Sequence, residues 1–237
     1  MLRGRLMVGQ GPLEPLMNVR FVPPQHTYTN KLPMKKDQIK KLVSFFFEIG
    51  NLRKVLRAHQ QVLLSYDLTD TIASHSFRVV LIGYFLAKEL KSDENKVIKM
   101  CFLHDLEESR SMDHHWISKR YVKVFEDEIR KEQLSKLAHS KELLKLSKEY
   151  QERKTLEAKI AKDADLLDEI FLLREYAWQG NREAQEWLKG KKDPRNQKMT
   201  THEKMLFTKL AKKIAQETKK QVPSFWWRNL WTPDSRK

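Results

Sequence analysis

A single cysteine, Cys101, stands in 237 residues, so no intramolecular disulfide can form and nothing in the composition argues for an oxidising compartment. Glycine and proline are scarce too, at 7 and 8, and many of them sit near the two ends. The long interior therefore has few breakers, which suits helices and argues against many short strands joined by tight turns. No run approaches the roughly 18 apolar residues of a membrane span, and Met1 to Met17 lacks the continuous apolar stretch of a signal peptide. The expected setting is cytoplasmic. Acidic residues are in deficit only at the ends: residues 1–60 hold 11 Lys/Arg against 3 Asp/Glu, residues 201–237 hold 9 against 3, and those between hold 26 against 25. The net charge of +15 thus belongs to the extremities, which suits a neutral body with basic flanks better than a dedicated nucleic-acid groove.

What is present is globular, with 40% hydrophobic and 32% charged residues, and the expectation is one all-α domain. Residues 1–34, with Gly9, Gly11, Pro12, Pro15, Pro23, Pro24 and Pro33, read as an irregular arm. Ile39, Leu42, Val43, Phe46, Phe47 and Ile49 predict a helix from Lys35 ending at Gly50, after which Asn51 can cap a second segment holding Leu52, Val55 and Leu56. Arg53, Lys54 and Arg57 of that segment read as a solvated face. A third helix over 71–90 would bury Ile72, Phe77, Val80, Leu81, Tyr84 and Phe85. Ser92-Asp93-Glu94 opens a fourth, which runs to Leu103. Residues 117–150 read as lysine-rich amphipathic helix, 155–178 as a central helix apolar nearly all round, and 180–189 as a short helix. A polar loop over 190–199 precedes a last helix over 201–221. The tail, 223–237, carries Phe225, Trp226, Trp227, Leu230 and Trp231 and should dock on the helical body.

Chemistry concentrates in Met100-Cys101-Phe102-Leu103-His104-Asp105-Leu106-Glu107-Glu108. On a continuous helix Glu108 lies one turn from both Asp105 and His104. The central helix contains Asp163, Asp165 and Asp168, and ionised carboxylates are costly to bury, so at least one should meet a cation or strong donors. A helical wheel places Asp163 and Asp168 within the apolar arc and Asp165 at its edge, which does not choose among them. The ordered set is His75, then His104-Asp105 after 29 residues, then an aspartate 60 residues further on. Imidazole and carboxylate ligands together suit a divalent ion. Vicinal His114 and His115 have no fixed ligand spacing and read as surface residues.

With its motifs Ser74-His75-Ser76, His104-Asp105-Leu106-Glu107-Glu108 and Lys162-Asp163-Ala164-Asp165, the chain resembles the HD-domain metal-dependent phosphohydrolases. Over about residues 36–215 it is most similar to their small 5'-deoxynucleotidase group. That resemblance implies a single HD-type helical bundle, placed here at 35–222, and selects Asp165 by the K-x-A-D pattern. It implies one divalent metal ion (Mn, Co, Mg, Zn, Fe or Ni) on His75, His104, Asp105 and Asp165, catalytic carboxylates Glu108 and Asp113, and Arg57 for phosphate. Met112 stands where the deoxynucleotidases usually have glycine. The implied activity is release of phosphate from nucleoside 5'-monophosphates, preferably deoxy, by a homodimer. Two other readings remain open: an HD hydrolase of nucleoside triphosphates or guanosine alarmones, and a basic nucleic-acid-binding module with a vestigial metal site.

Overall fold

A computed structural model describes residues 34–190, 201–228 and 230. The expected arm, nearly all of the 190–199 loop and Trp231 of the tail fall outside the described residues. The helices are α1 (Lys36–Ile49), α2 (His59–Leu63), α3 (Ile72–Glu89), α4 (Glu94–Leu103), α5 (Glu108–Ser111), α6 (Glu126–Leu134), α7 (Ser140–Glu152), α8 (Leu156–Trp178), α9 (Arg182–Lys189), α10 (His202–Met205), α11 (Lys209–Glu217) and α12 (Phe225–Arg228). Among the described residues there is no strand, and pairing of extended backbone is confined to one isolated antiparallel bridge, Leu56 with Thr71. The protein is all-α. No described helix is long and apolar enough to cross a membrane.

Side-chain caps set several helix starts. Thr71 accepts from the Ser74 amide at 3.2 Å, Asp93 from Lys96 at 3.0 Å, Thr155 from Ala158 at 3.2 Å and Asn181 from Ala184 at 2.9 Å, each satisfying an amide that the first turn leaves open. Helix α8 is the centre: Ile160, Ala161, Ala164, Leu167 and Leu173 are almost wholly buried. Helices α3 and α4 pack against it, with α7, α9, α10 and α11 around the outside.

The structure corrects four expectations. On α3 the buried face is Ile72, His75, Val79, Gly83, Leu86 and Ala87, while Phe77, Leu81 and Phe85 are exposed. The reason is close approach: a Cβ on Gly83 would lie 2.7 Å from Cys101 Sγ, so α3 turns the stripe that carries Gly83, not the aromatic one, toward α4. Helix α1 forms as expected but buries none of its residues. The 117–150 region breaks into a short 3-10 turn, α6 and α7, with His139 at φ +65° ending any continuous helix. The 201–221 region breaks between α10 and α11, where the Phe207 and Thr208 amides bond the buried Asp163 carboxylate at 2.6 and 2.8 Å instead of a preceding helical turn.

Gly83→Ala should therefore lower stability by about 1–3 kcal/mol through overpacking at the α3–α4 contact. Adding Cys101→Gly to the same chain should recover part of that loss, as chemical denaturation of the single and double variants would measure.

Candidate metal centre

Three segments carry the candidate ligands to one point. His75 lies on the buried face near the start of α3, and Asp165 comes from the middle of α8. Helix α4 stops at Leu103, so His104 and Asp105 sit in the turn that follows rather than on a helix continuing to Glu108. The Glu108 amide bonds the Asp105 carbonyl at 3.2 Å as α5 begins.

Hydrogen bonding fixes both imidazoles. His104 Nδ1 is 2.8 Å from the Cys101 carbonyl, which can only accept, so Nδ1 carries the hydrogen and Nε2 keeps its lone pair. His75 Nδ1 is 2.5 Å from Asp168 Oδ2, and the other Asp168 oxygen accepts from Arg78 Nε, so in the neutral ring His75 Nε2 is bare as well. The two Nε2 atoms are 3.1 Å apart. Asp105 Oδ2 lies 3.1 Å from that of His104 and 3.5 Å from that of His75, and Asp165 Oδ1 lies 3.9 and 3.4 Å away. Ligand atoms from His75, His104 and Asp165 all fall within 4.8 Å of one another.

Lone pairs crowded this closely call for positive charge. Burial and the nearby Arg57 push the His75 pKa down, yet bonds from Asp105, Asp165 and Asp168 override them and raise it well above the ordinary value. Burial likewise opposes ionisation of Asp105, and the His104 charge and hydrogen bond still hold its carboxyl far below the usual range. The donor set, oriented from behind by Asp168 and the Cys101 carbonyl, fits a divalent ion.

The three aspartates of α8, of which Asp163 and Asp168 are buried and Asp165 half-buried, thus divide. Asp163 bonds the backbone that starts α11, Asp165 faces the imidazoles, and Asp168 orients His75. Lys162 Nζ holds Asp165 Oδ2 at 2.6 Å, leaving Oδ1 toward the cluster. The role of Asp168 was hidden among three equivalent-looking residues, although its i+3 spacing from Asp165 places the two on one face.

Arg57 is 8% exposed rather than solvated, because its amide bonds the Asp70 carbonyl at 3.0 Å and turns the side chain inward. Its guanidinium lies 3.7 Å from Asp113 and 4.0 Å from Asp168, while Nε and Nη1 have no hydrogen-bond partner among the described residues. Asp113 Oδ2 accepts from the Ala58 amide at 2.8 Å. Just before it, Met112 adopts φ +65°, ψ 165°, so the turn expected of a glycine forms with a side chain in place. Burial, joined by the charges of Asp105 and Asp113, pushes the Glu108 carboxyl up to about 10. His114 and His115 bond the Ser111 carbonyl and Gln61, away from the cluster.

The turn bearing Asp105 and Glu108 is tied down from outside. Asn51 caps no helix; its amide nitrogen donates to the Ser109 carbonyl at 2.8 Å. Gln133 donates to Ser109 Oγ at 2.8 Å, Arg110 pairs with Glu48 and Glu132, and Arg130 forms an ion pair with buried Glu107. Across the site, Glu169 Oε1 lies 3.2 Å from His202 Nε2 of α10, a pair to which no sequence spacing pointed.

A family model described as HD domain matches residues 49–222. The chain is 32% identical over 143 residues to the 5'-deoxynucleotidase HDDC2 of Dictyostelium discoideum, a match covering 55% of this chain and 75% of that one. Among solved structures it is similar to a conserved hypothetical protein from Pyrococcus furiosus, with TM-score 0.61 and 25% identity over 76% of this chain and 99% of the other. It also shares the fold of a chain named as a predicted metal-dependent phosphohydrolase from Magnetospirillum magnetotacticum, with TM-score 0.54 and 19% identity over 77% of this chain and 94% of that one.

Two substitutions probe this geometry. Asp168→Asn should weaken divalent-metal affinity by about 10–100-fold in calorimetric titration, because an amide lacks the charge and has a single acceptor oxygen where the carboxylate accepts from both His75 and Arg78, with no candidate ligand altered; unchanged affinity would refute that role. Met112→Gly should raise the urea midpoint by the equivalent of about 1 kcal/mol by relieving the positive-φ strain, whereas a lowered midpoint would show that the Met112 side chain contributes more than the backbone costs.

Proposed function

The chain belongs to the HD domain family, and we propose that it uses the cluster of His75, His104, Asp105 and Asp165 to hydrolyse nucleoside 5'-monophosphates, preferably deoxy, to nucleoside and phosphate. The observation that carries the reading is Arg57, a buried guanidinium beside the cluster with two donor nitrogens unmet among the described residues. Leaving such donors unsatisfied is costly, and a tetrahedral anion with several oxygens would satisfy them. Burial opposes the charge of Arg57, but Glu169, Asp105, Asp113 and Asp165 surround it and keep it protonated.

In this reading the four ligands hold one divalent ion, which supplies Lewis acidity that offsets phosphate charge and acidifies a water. Arg57 grips the phosphate oxygens that do not react and orients the ester. Glu108, next to the ligands without facing the imidazoles, holds a proton at its carboxyl and moves it between water and the leaving oxygen. Asp113 fixes the Ala58 amide and flanks Arg57, so it sets the wall of the phosphate site.

A monophosphate suits the charge supply better than a triphosphate or an alarmone. Lys162, Arg78 and His202 are each held by a carboxylate, whereas Arg57, beside the cluster, keeps two donors unmet among the described residues. The similarity to a 5'-deoxynucleotidase points the same way. We place the domain at 35–222, between an N-terminal arm and an aromatic tail, and take a homodimer as part of the same reading, with the exposed Phe77, Leu81 and Phe85 of α3 as apolar surface it would cover.

A phosphoester panel assayed for released phosphate, with divalent metals supplied, tests the assignment: turnover of triphosphates with inert monophosphates would defeat it. Asp105→Ala should lose both bound metal and turnover. Glu108→Gln should keep the metal while kcat falls about 10²–10⁴-fold, and full activity in that variant would remove its assigned role.

A further inference from the structure

We infer that Glu169 and His202 form a subsite for a sugar hydroxyl, so that the pair selects substrates by what adjoins the phosphate. The inference rests on the nucleotidase reading above and adds residues that neither the motifs nor the ligand cluster involve.

Glu169 follows Asp165 by four residues on α8, so it lies on the same face about 6 Å further along. A furanose ring sets a comparable span between a 5'-phosphate and the hydroxyls on its far side. A phosphate seated at Arg57 therefore brings the sugar toward Glu169, which contributes the largest of the carboxylate fields that hold Arg57 charged. The pair is also reachable. The Glu169 and His202 side chains are 19% and 23% exposed, whereas those of His75 and His104 are sealed at 1%.

The chemistry matches a hydroxyl, which both donates and accepts. Glu169 can only accept and an imidazolium can only donate, so together they answer both halves of the O–H group. Burial works against charge on either residue, yet the His202 charge and hydrogen bond, with Arg57, hold the Glu169 carboxyl at about 2, and Glu169 raises His202 in turn. Each thus favours the charged form of the other, and hydrogen bonds to charged groups are the stronger kind. The pair is built in rather than dangling: the His202 ring stacks on Trp187 at 6.4 Å with 23° between planes, which fixes the imidazole over α8.

Steady-state kinetics of the full chain, loaded with metal, on three substrates reads the inference: a deoxynucleoside 5'-monophosphate, deoxyribose 5-phosphate and phenyl phosphate. Glu169→Gln, and separately His202→Gln, should lower kcat/KM for the two sugar phosphates at least tenfold relative to phenyl phosphate, mainly through KM, with bound metal unchanged. Calorimetric binding of the free deoxynucleoside should weaken by a similar factor. A loss shared equally by phenyl phosphate overturns the inference, because Glu169 would then act only through Arg57 or the ligands. A loss confined to the nucleotide overturns it in favour of the base edge. Should the unmodified protein cleave phenyl phosphate and deoxyribose 5-phosphate yet leave nucleotides untouched, the nucleotidase reading fails by itself, and the ratio between the two remaining substrates still decides the subsite.

Discussion

Two imidazole lone pairs 3.1 Å apart, flanked by two carboxylate oxygens, repel one another in a buried setting unless a positive charge stands among them. Most of the molecule serves to impose that unfavourable arrangement. Asp168 and the Cys101 carbonyl each take an Nδ1 hydrogen, so neither ring can relieve the crowding by rotating or changing tautomer without losing a buried bond. Lys162 does the same for Asp165 by occupying its outer oxygen. A centre held in this way is a preorganised cation site, because its donors are already aimed at one point.

Bringing the donors together depends on packing at two scales. Between helices, Gly83 lets α3 come close to Cys101 on α4, and α8 lies against both, which places His75, the end of α4 and Asp165 around one point. At the level of loops, the turn after α4 is held by Asn51 on one side and by Arg130 and Gln133 of α6 on another, while Arg110 of α5 reaches out to Glu48. The strained Met112 ends that region and presents Asp113 to the Ala58 amide, so Arg57 and Asp113 are located by the same small piece of chain. Arg57 then brings a buried positive charge within reach of the cluster, and the site acquires two unlike halves, one for a cation and one for an anion.

Regular structure was largely legible in the residue pattern. The central helix was anticipated within a residue at both ends, since Thr155 caps it and its apolar arc is unusually wide. The ligand segments were legible too, because a histidine-aspartate doublet and buried aspartates are rare enough to stand out against apolar neighbours. Faces and breaks were less so. Phe77, Leu81 and Phe85 make an aromatic-rich stripe of α3, yet helix contact at glycine distance favours the stripe that carries Gly83, and periodicity alone does not measure closeness. The interruption after Met205 follows from the tertiary bonds of Asp163 to the Phe207 and Thr208 amides, which have no local signature.

Residue order and type by themselves determined that this chain would be helical and that it carries imidazoles and carboxylates able to hold a divalent ion. Only the folded chain decided which aspartate of α8 meets the imidazoles, which one steadies His75, and which one starts another helix. It also turned Arg57 from a surface cation into a buried one with unmet donors, and set Glu169 against His202. The physical reason is that propensity and periodicity are short-range properties, decided within a few residues. A shared coordination point and a hydrogen-bond partner 93 residues away, as for His75 and Asp168, exist only once distant helices have packed.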